Sequence, residues 1–479
     1  MALPEVEIGQ FYMGSRLLNP LTYLIGLPID QVNFLACQFI ALGIGIYFRE
    51  HMSPKKASFT QRHLVELCVG VCLTLFCFGY QILHVFAEAA IAYVIMLYAP
   101  RENFHAIVFV FSMLYLSIVH IYRQIYDYGG YTLDITGPLM ILTQKTTSIA
   151  FALHDGTQKS DDQLNPDQKK QKIVEIPSPL AYSSYVFSFH NIMCGPLVFY
   201  SDYIHFIEGT DGSYDPPNQG QNHSKLPPSP NDAVKRKLIS ALINGIITVT
   251  SPIFYPVSYL TDDEFLYKSS WLYKNYYVLV CITLVRAKYY LAWELGEAVN
   301  NAAGLGFKGW NKDGTANWDL IRNIQIYQLE VSNSLKVNID SWNIQTLIWL
   351  RRIVYDRVPK YSTLAVFMCS AFWHGFYPGY YFTFCGAALA TVAARLMRRN
   401  VRPLFQGSGQ SKHFYDAVTF TFTRFTNVYV TFPFCILIFD ETIRVLGSLY
   451  FYMHILCIGV YVYFTFIQPP KKQKSEKKE

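Results

Sequence analysis

The chain has 479 residues, of which 52% are hydrophobic, 16% aromatic and only 15% charged. Soluble domains carry about 25% charged residues. This composition therefore cannot coat several soluble domains, and it excludes a disordered, collagen-like or small disulfide-framed protein. Forty Lys and Arg against 34 Asp and Glu leave a net charge of +6, and no basic helix with interleaved stacking aromatics marks a nucleic-acid surface. The mean hydropathy of +0.18 understates the apolar character, because the 36 Tyr score as polar on that scale.

The N-terminal MALPEVEIGQ places acids where the leading segment of a signal peptide is basic, so the first hydrophobic helix is expected to remain as an uncleaved anchor. A helix needs about 20 apolar residues to cross ~30 Å of hydrocarbon. Candidate spans follow in chain order at Val32–Phe48, Leu64–Phe78, Ile82–Tyr98, Ala106–Tyr122, Leu180–Tyr200, Leu238–Val257, Trp271–Val285, Tyr361–Tyr380, Tyr381–Met397, Val418–Phe439 and Leu446–Phe466. Several are short or interrupted by Gly, Pro or polar residues. That pattern predicts an all-α, polytopic membrane bundle of about 10–11 transmembrane helices with re-entrant or tilted pieces. Cys68, Cys72 and Cys77 lie in an apolar run and no CxxC occurs, which predicts buried thiols and no metal site.

The polar stretches Asp155–Ile176 and Ser201–Asn231 are too short for separate domains. Residues 1–479 are expected to form a single membrane-embedded domain with a basic tail at about 470–479. Basic clusters at Lys235–Lys237, Arg351–Lys360, Arg395–Arg402 and the PPKKQKSEKKE tail can all be cytosolic at once under the positive-inside rule. That parity puts the Asn222-His223-Ser224 sequon in the cytosol, unglycosylated, and the C-terminus with it.

Ionisable groups within apolar runs are costly and mark bundle-facing or functional positions. Gln81, His84 and Glu88 share one helix face and read as a structural hydrogen-bond stripe. Lys145, within Thr143–Ser148, interrupts an apolar segment and could meet an anionic group or snorkel. His190 precedes a Gly195-Pro196 kink, which is assigned to packing. Further on lies Ser341-Trp342-Asn343-Ile-Gln-Thr346-Leu-Ile-Trp349-Leu-Arg351-Arg352. As a helix it would put Asn343 and Thr346 on one face, with the arginines roughly 12–14 Å further along the axis. Those arginines suit a phosphate site or a simple cytosolic flank. The sharpest case is Ser370-Ala-Phe-Trp-His374-Gly-Phe-Tyr-Pro-Gly-Tyr-Tyr381. Its imidazole is either a natural general base at neutral pH or a buried neutral histidine bonded to a neighbouring helix.

The WHGxxPGYY run around His374, with WNIQTxxWLRR upstream, resembles the membrane-bound O-acyltransferase superfamily. The segments from Tyr131 through Lys145 to Gly156, and Leu305–Gly309 followed by Asn317-Trp318-Asp319, resemble its lysophospholipid acyltransferase branch. The resemblance is nearest to members that acylate lysophosphatidylethanolamine and lysophosphatidylserine. It implies an endoplasmic reticulum enzyme built around a through-membrane reaction tunnel, with His374 and Asn343 as its signature catalytic residues. Acyl-CoA would enter from the cytosol and the lysolipid from the bilayer, among other membrane lipids. Bottom-up chemistry agrees. His374 can take the proton of a glycerol hydroxyl, and Asn343 can donate to the oxyanion or orient the thioester or imidazole. Neither an acyl-enzyme, a metal nor a redox cofactor is called for. Arg351 and Arg352, with Lys145 behind them, are the candidates for CoA phosphates, because Arg presents a bidentate fork. Competing readings are an acyltransferase with another acceptor (another lysophospholipid, a sterol, a diacylglycerol or a protein) and a multi-span transporter. The transporter reading would want internal repeats that this chain lacks. The sterol and diacylglycerol branch resembles an FYxDWWN signature where this chain has Ser341-Trp342-Asn343.

Overall fold

A computed structural model of the chain describes residues 12–130, 132–193, 195–211 and 228–468. The Asn222 sequon and the basic tail lie outside the described residues. In chain order the helices are α1 (Asn19–Ile25), α2 (Ile29–His51), α3 (Phe59–Phe78), α4 (Ile82–Tyr98), α5 (Phe104–Tyr126), α6 (Thr136–Gln158), α7 (Pro166–Gln171), α8 (Pro179–Val186), α9 (Tyr200–Glu208), α10 (Asn231–Phe254), α11 (Trp271–Val285) and α12 (Ala287–Ala303). A two-residue-strand hairpin, β1 (Gly309–Trp310) with β2 (Ala316–Asn317), interrupts them. Then come α13 (Ile326–Val331), α14 (Leu335–Asp340), α15 (Ile344–Leu350), α16 (Ser362–His374), α17 (Pro378–Asn400), α18 (Gly409–Ile436), α19 (Phe439–Ser448) and α20 (Tyr452–Val462). The all-helical membrane architecture expected from the apolar runs is the one observed.

Local sequence explains where the helices start. Ser58 caps α3 and Gln61 returns the bond, a reciprocal capping box that satisfies two otherwise unpaired N–H groups. Ser178 and Ser270 cap α8 and α11 in the simpler way, and Pro378 occupies the first turn of α17, where its missing N–H costs nothing. By length and apolarity, the described stretches able to cross a membrane are α2, the 40-residue run Phe59–Tyr98 through α3 and α4, α5, α10 and α17. A sixth is the pair Phe439–Ser448 and Tyr452–Ile467, bent by 77°. The 23 residues of α2 reach about 34 Å at ~1.5 Å each, enough for the hydrocarbon core.

Several other expected spans are met as shorter pieces. Leu180–Tyr200 holds only seven of the eight residues of α8 before irregular backbone begins, and Tyr361–Tyr380 is the 13-residue α16. In contrast, α6 is 23 residues long and was not expected as a span. Thr143 to Ser148 are nevertheless buried along it, so protein rather than lipid solvates its polar face, as a bundle interior requires.

The chain divides into two compact units. The first comprises 1–245, 288–324 and 343–357; the second comprises 246–287, 325–342 and 358–479. In the first, α5 and α6 pack along their length and α4 lies against both. His84 Nδ1 meets the Tyr115 hydroxyl at 3.0 Å, and Glu88 Oε1 accepts from Thr143 at 3.3 Å. Two members of the expected stripe therefore join helices. In the second unit, α17 packs between α16, α18 and α20, around a core that includes Phe265, Tyr277, Tyr429, Phe432 and Leu446. There Arg286 grips Glu330 bidentately at 2.7 and 2.9 Å and reaches Asn427 at 2.9 Å. Arg424 adds a second cation on Glu330 at 3.3 Å, so the carboxylate is paired rather than left as a costly lone charge.

Candidate active site

His374 is the last residue of α16. Gly375 follows with φ +116°, a conformation that glycine adopts without a Cβ clash, and its N–H bonds back to the Ala371 and Phe372 carbonyls at 3.2 Å. The chain then re-enters a helix at Pro378. Gly379 donates to the Leu437 carbonyl at 2.8 Å, and a Cβ there would collide with the Pro433 carbonyl oxygen. The two glycines and the proline of the WHGxxPGYY run thus have separate tasks: one ends α16, one starts α17, and one lets α17 touch the backbone of α18.

The imidazole is half-buried and ringed by Trp373, Phe384, Phe434 and Tyr380, at centroid distances of 4.7, 5.0, 5.3 and 5.9 Å. Its Nδ1 lies 2.8 Å from the Ser370 carbonyl. A carbonyl only accepts, so Nδ1 carries the hydrogen, and in the neutral ring Nε2 holds the lone pair. This bond is made within its own helix, one turn back.

Asn343 belongs to the first unit and is described there. The continuous helix expected through Asn343 and Thr346 is corrected. Asn343 has φ +46° and ψ +53°, and α15 begins only at Ile344. A left-handed residue breaks the i, i+3 relation, and Asn is one of the few types that tolerate that conformation. Asn343 stands at the N-cap position yet its side chain caps nothing. Thr346 instead accepts from Gln144 of α6 at 2.8 Å, and the Trp349 indole donates to Thr147 at 2.9 Å. These bonds dock α15 onto the polar face of α6.

The arginines separate by environment. Arg351 is 71% exposed and pairs with Asp356 at 3.7 Å. Arg352 is 14% exposed, bonds Asp167 at 2.5 and 2.7 Å and lies over the Phe199 ring at 3.8 Å. The Arg352 bond holds the Asp167 carboxyl below its usual range, against the opposing effect of burial. Arg357, in sequence a member of the basic cluster Arg351–Lys360, grips Asp155 at 2.6 and 3.0 Å. Burial pushes the Asp155 carboxyl up, but Arg357 and Lys159 outweigh it and the net shift is downward. Arg352, Arg357, Asp155, Ser148, Gln168 and Gln171 line a cavity of about 30 Å³. Ser148 Oγ and Arg352 Nη1 are buried without a hydrogen-bond partner among the described residues.

Lys145 is fully buried. Its ammonium donates to the Tyr185 and Val186 carbonyls at 2.6 and 3.0 Å, and it does not snorkel. His190 is also fully buried, with Nδ1 3.0 Å from Glu66. A larger groove of about 360 Å³, walled by Ile46, Arg49, Lys235 and Leu242 among others, includes none of the predicted site residues.

The sequence matches the model of the MBOAT, membrane-bound O-acyltransferase family, over residues 120–432. The chain belongs to the membrane-bound O-acyltransferase family. It is 42% identical to the Rattus norvegicus membrane-bound glycerophospholipid O-acyltransferase 2 over 97% of this chain and 90% of that protein. It is 41% identical to the Homo sapiens membrane-bound glycerophospholipid O-acyltransferase 1 over 94% of this chain and 92% of that one. The Drosophila melanogaster lysophospholipid acyltransferase 6 is 42% identical over 98% of this chain and 66% of its own length. In the neutral ring His374 Nε2 keeps its lone pair, and the Asn343 side chain is not spent on the cap of α15.

Proposed function

We propose that the protein transfers a fatty acyl group from acyl-CoA to the free sn-2 glycerol hydroxyl of a lysophospholipid, lysophosphatidylethanolamine or lysophosphatidylserine. The transfer remodels phospholipids in the endoplasmic reticulum membrane, with the C-terminus cytosolic. The observation that carries this reading is the Ser370 carbonyl on His374 Nδ1, and the names of the relatives above support the acceptor class. His374 Nε2 takes the hydroxyl proton as the oxygen attacks the thioester carbonyl. The Asn343 amide donates to the oxyanion, a contact worth about 2.7–4 kcal/mol in such sites. Collapse of the tetrahedral intermediate breaks the carbon–sulfur bond, and the imidazolium returns its proton to the CoA thiolate. Acyl-CoA enters a reaction tunnel from the cytosol and the lysolipid enters from the bilayer. Purified protein given labelled acyl-CoA and a panel of lysophospholipids, a sterol, a diacylglycerol and a peptide should label lysophosphatidylethanolamine or lysophosphatidylserine. Label only on the sterol, diacylglycerol or peptide would overturn the reading.

Of the two arginines proposed for CoA phosphates, Arg351 is the open one, because Arg352 already spends its fork on Asp167. Arg351→Gln should raise the KM for acyl-CoA by about tenfold, the equivalent of one lost charged hydrogen bond of ~1.5 kcal/mol. The KM for lysolipid should stay put. Equal effects on both substrates, or none, would leave Arg351 as a topology signal only.

A further inference from the structure

The N-terminus of α15 is capped from elsewhere. Asn is among the best residue types at an N-cap, where its side chain accepts from the second or third N–H. Asn343 occupies that position and does not cap. Asn323 does so in its place: its carbonyl accepts from Ile344 N–H at 2.8 Å and its Oδ1 from Gln345 N–H at 3.0 Å. The Gln345 side chain ties back to the same loop, donating to the Leu320 and Arg322 carbonyls at 3.1 Å. Asn323 is itself held from α12, where Glu297 Oε1 accepts from its N–H at 2.7 Å and from Ile324 N–H at 3.3 Å. Lys237 of α10 grips the other Glu297 oxygen at 2.5 Å and Glu294 at 3.0 Å. Glu294, Glu297 and Asn323 are all buried.

We propose that Glu297, anchored by Lys237, is a positioning residue for acyl transfer: through Asn323 it holds the left-handed turn that frees and aims the Asn343 amide. The inference rests on the reading of Asn343 as the oxyanion donor. Its logic is one of substitution. A cap supplied by Asn323 removes the need for Asn343 to bond its own helix, and the ion pair between half-buried Lys237 and buried Glu297 fixes where Asn323 sits. A displacement of about 1 Å at a reacting group can cost 10²-fold in rate, so a rigid route to the turn matters more to turnover than to substrate binding.

The test uses the full chain in lipid nanodiscs, acyl-CoA as donor and lysophosphatidylethanolamine as acceptor. Glu297→Gln keeps an acceptor oxygen but loses the ion pair; Glu297→Ala loses both. Expected is a fall in kcat of ~10-fold for Glu297→Gln and ~10²-fold for Glu297→Ala, with both KM values unchanged. Asn323→Ala should share the kcat loss. In an Asn343→Ala background the Glu297 substitutions should cost nothing further, because coupled residues are non-additive. A multiplicative loss in that background, or a rise in KM without a fall in kcat, would overturn the proposal. If Glu297→Ala does not fold, Glu297→Gln carries the same comparison. Wild-type turnover by Asn343→Ala alone would instead sink the oxyanion reading, and it would do so before the double variant is made.

Discussion

His374→Ala should yield a folded protein that transfers no acyl group. The end of α16 does not depend on the imidazole, because the Gly375 N–H closes it through the Ala371 and Phe372 carbonyls. The ring is only half-buried among Trp373, Tyr380, Phe384 and Phe434, so its loss removes some packing without stranding a charge. The expected rate loss is larger than any expected loss of stability. A positioned base contributes about 10²–10⁴-fold, and in the proposed transfer the same group also returns a proton to the thiolate. Thermal unfolding in detergent checks the fold and a labelled-acyl assay checks the chemistry. Normal turnover in a clean, folded preparation would remove His374 from the mechanism.

The second large effect is expected at Asn343. Asn343→Ala should lose roughly 10²–10³ in kcat if its amide donates to the oxyanion. Alanine has a second defect at this position, because a Cβ without a compensating side chain is strained at φ +46°. Asn343→Gly separates the two causes, since glycine takes that conformation freely. Equal losses in the Ala and Gly variants assign the effect to the missing amide. Recovery in Asn343→Gly would assign it to the backbone and leave the oxyanion without this donor. Because Asn343 caps no N–H of α15, neither substitution should unravel the helix.

The arrangement around each group also explains why one arginine of a pair is expected to matter more than its neighbour. Arg351 and Arg352 are adjacent in sequence, yet one faces solvent and the other is locked by Asp167 and Phe199. Division of labour of this kind follows from helical rotation: both residues open the π-helical turn Arg351–Tyr355 that follows α15, and successive side chains on a helix point in different directions. Of the two, Arg352 is the one bonded to Asp167 of α7.

The apolar, weakly charged, all-helical membrane character is legible in composition and patterning, because a low charge fraction and repeated apolar runs leave few other ways to satisfy backbone polar groups. It also singled out His374, since an imidazole amid Trp, Phe, Gly and Pro is costly to bury unless it is used or satisfied. The family resemblance rests on the same run, on WNIQTxxWLRR upstream, and on the segments from Tyr131 to Gly156 and from Leu305 to Asp319. What the tertiary structure decided were the partners. Thr346 looked like a facemate of Asn343, but its bond goes to Gln144, and Trp349 reaches Thr147, each 202 positions away. The left-handed turn at Asn343 and its cap from Asn323 could not be read from periodicity, because a cap normally comes from the capping residue itself. Glu297 was visible only as an acid in the run Trp293–Asn301, and its task emerged from the backbone N–H groups that a distant loop brings to it. Local patterning encodes which face of a helix is apolar. It does not encode which buried donor a given acceptor will meet, since that depends on how segments far apart in the chain pack, and a buried polar group takes whichever partner the packing supplies.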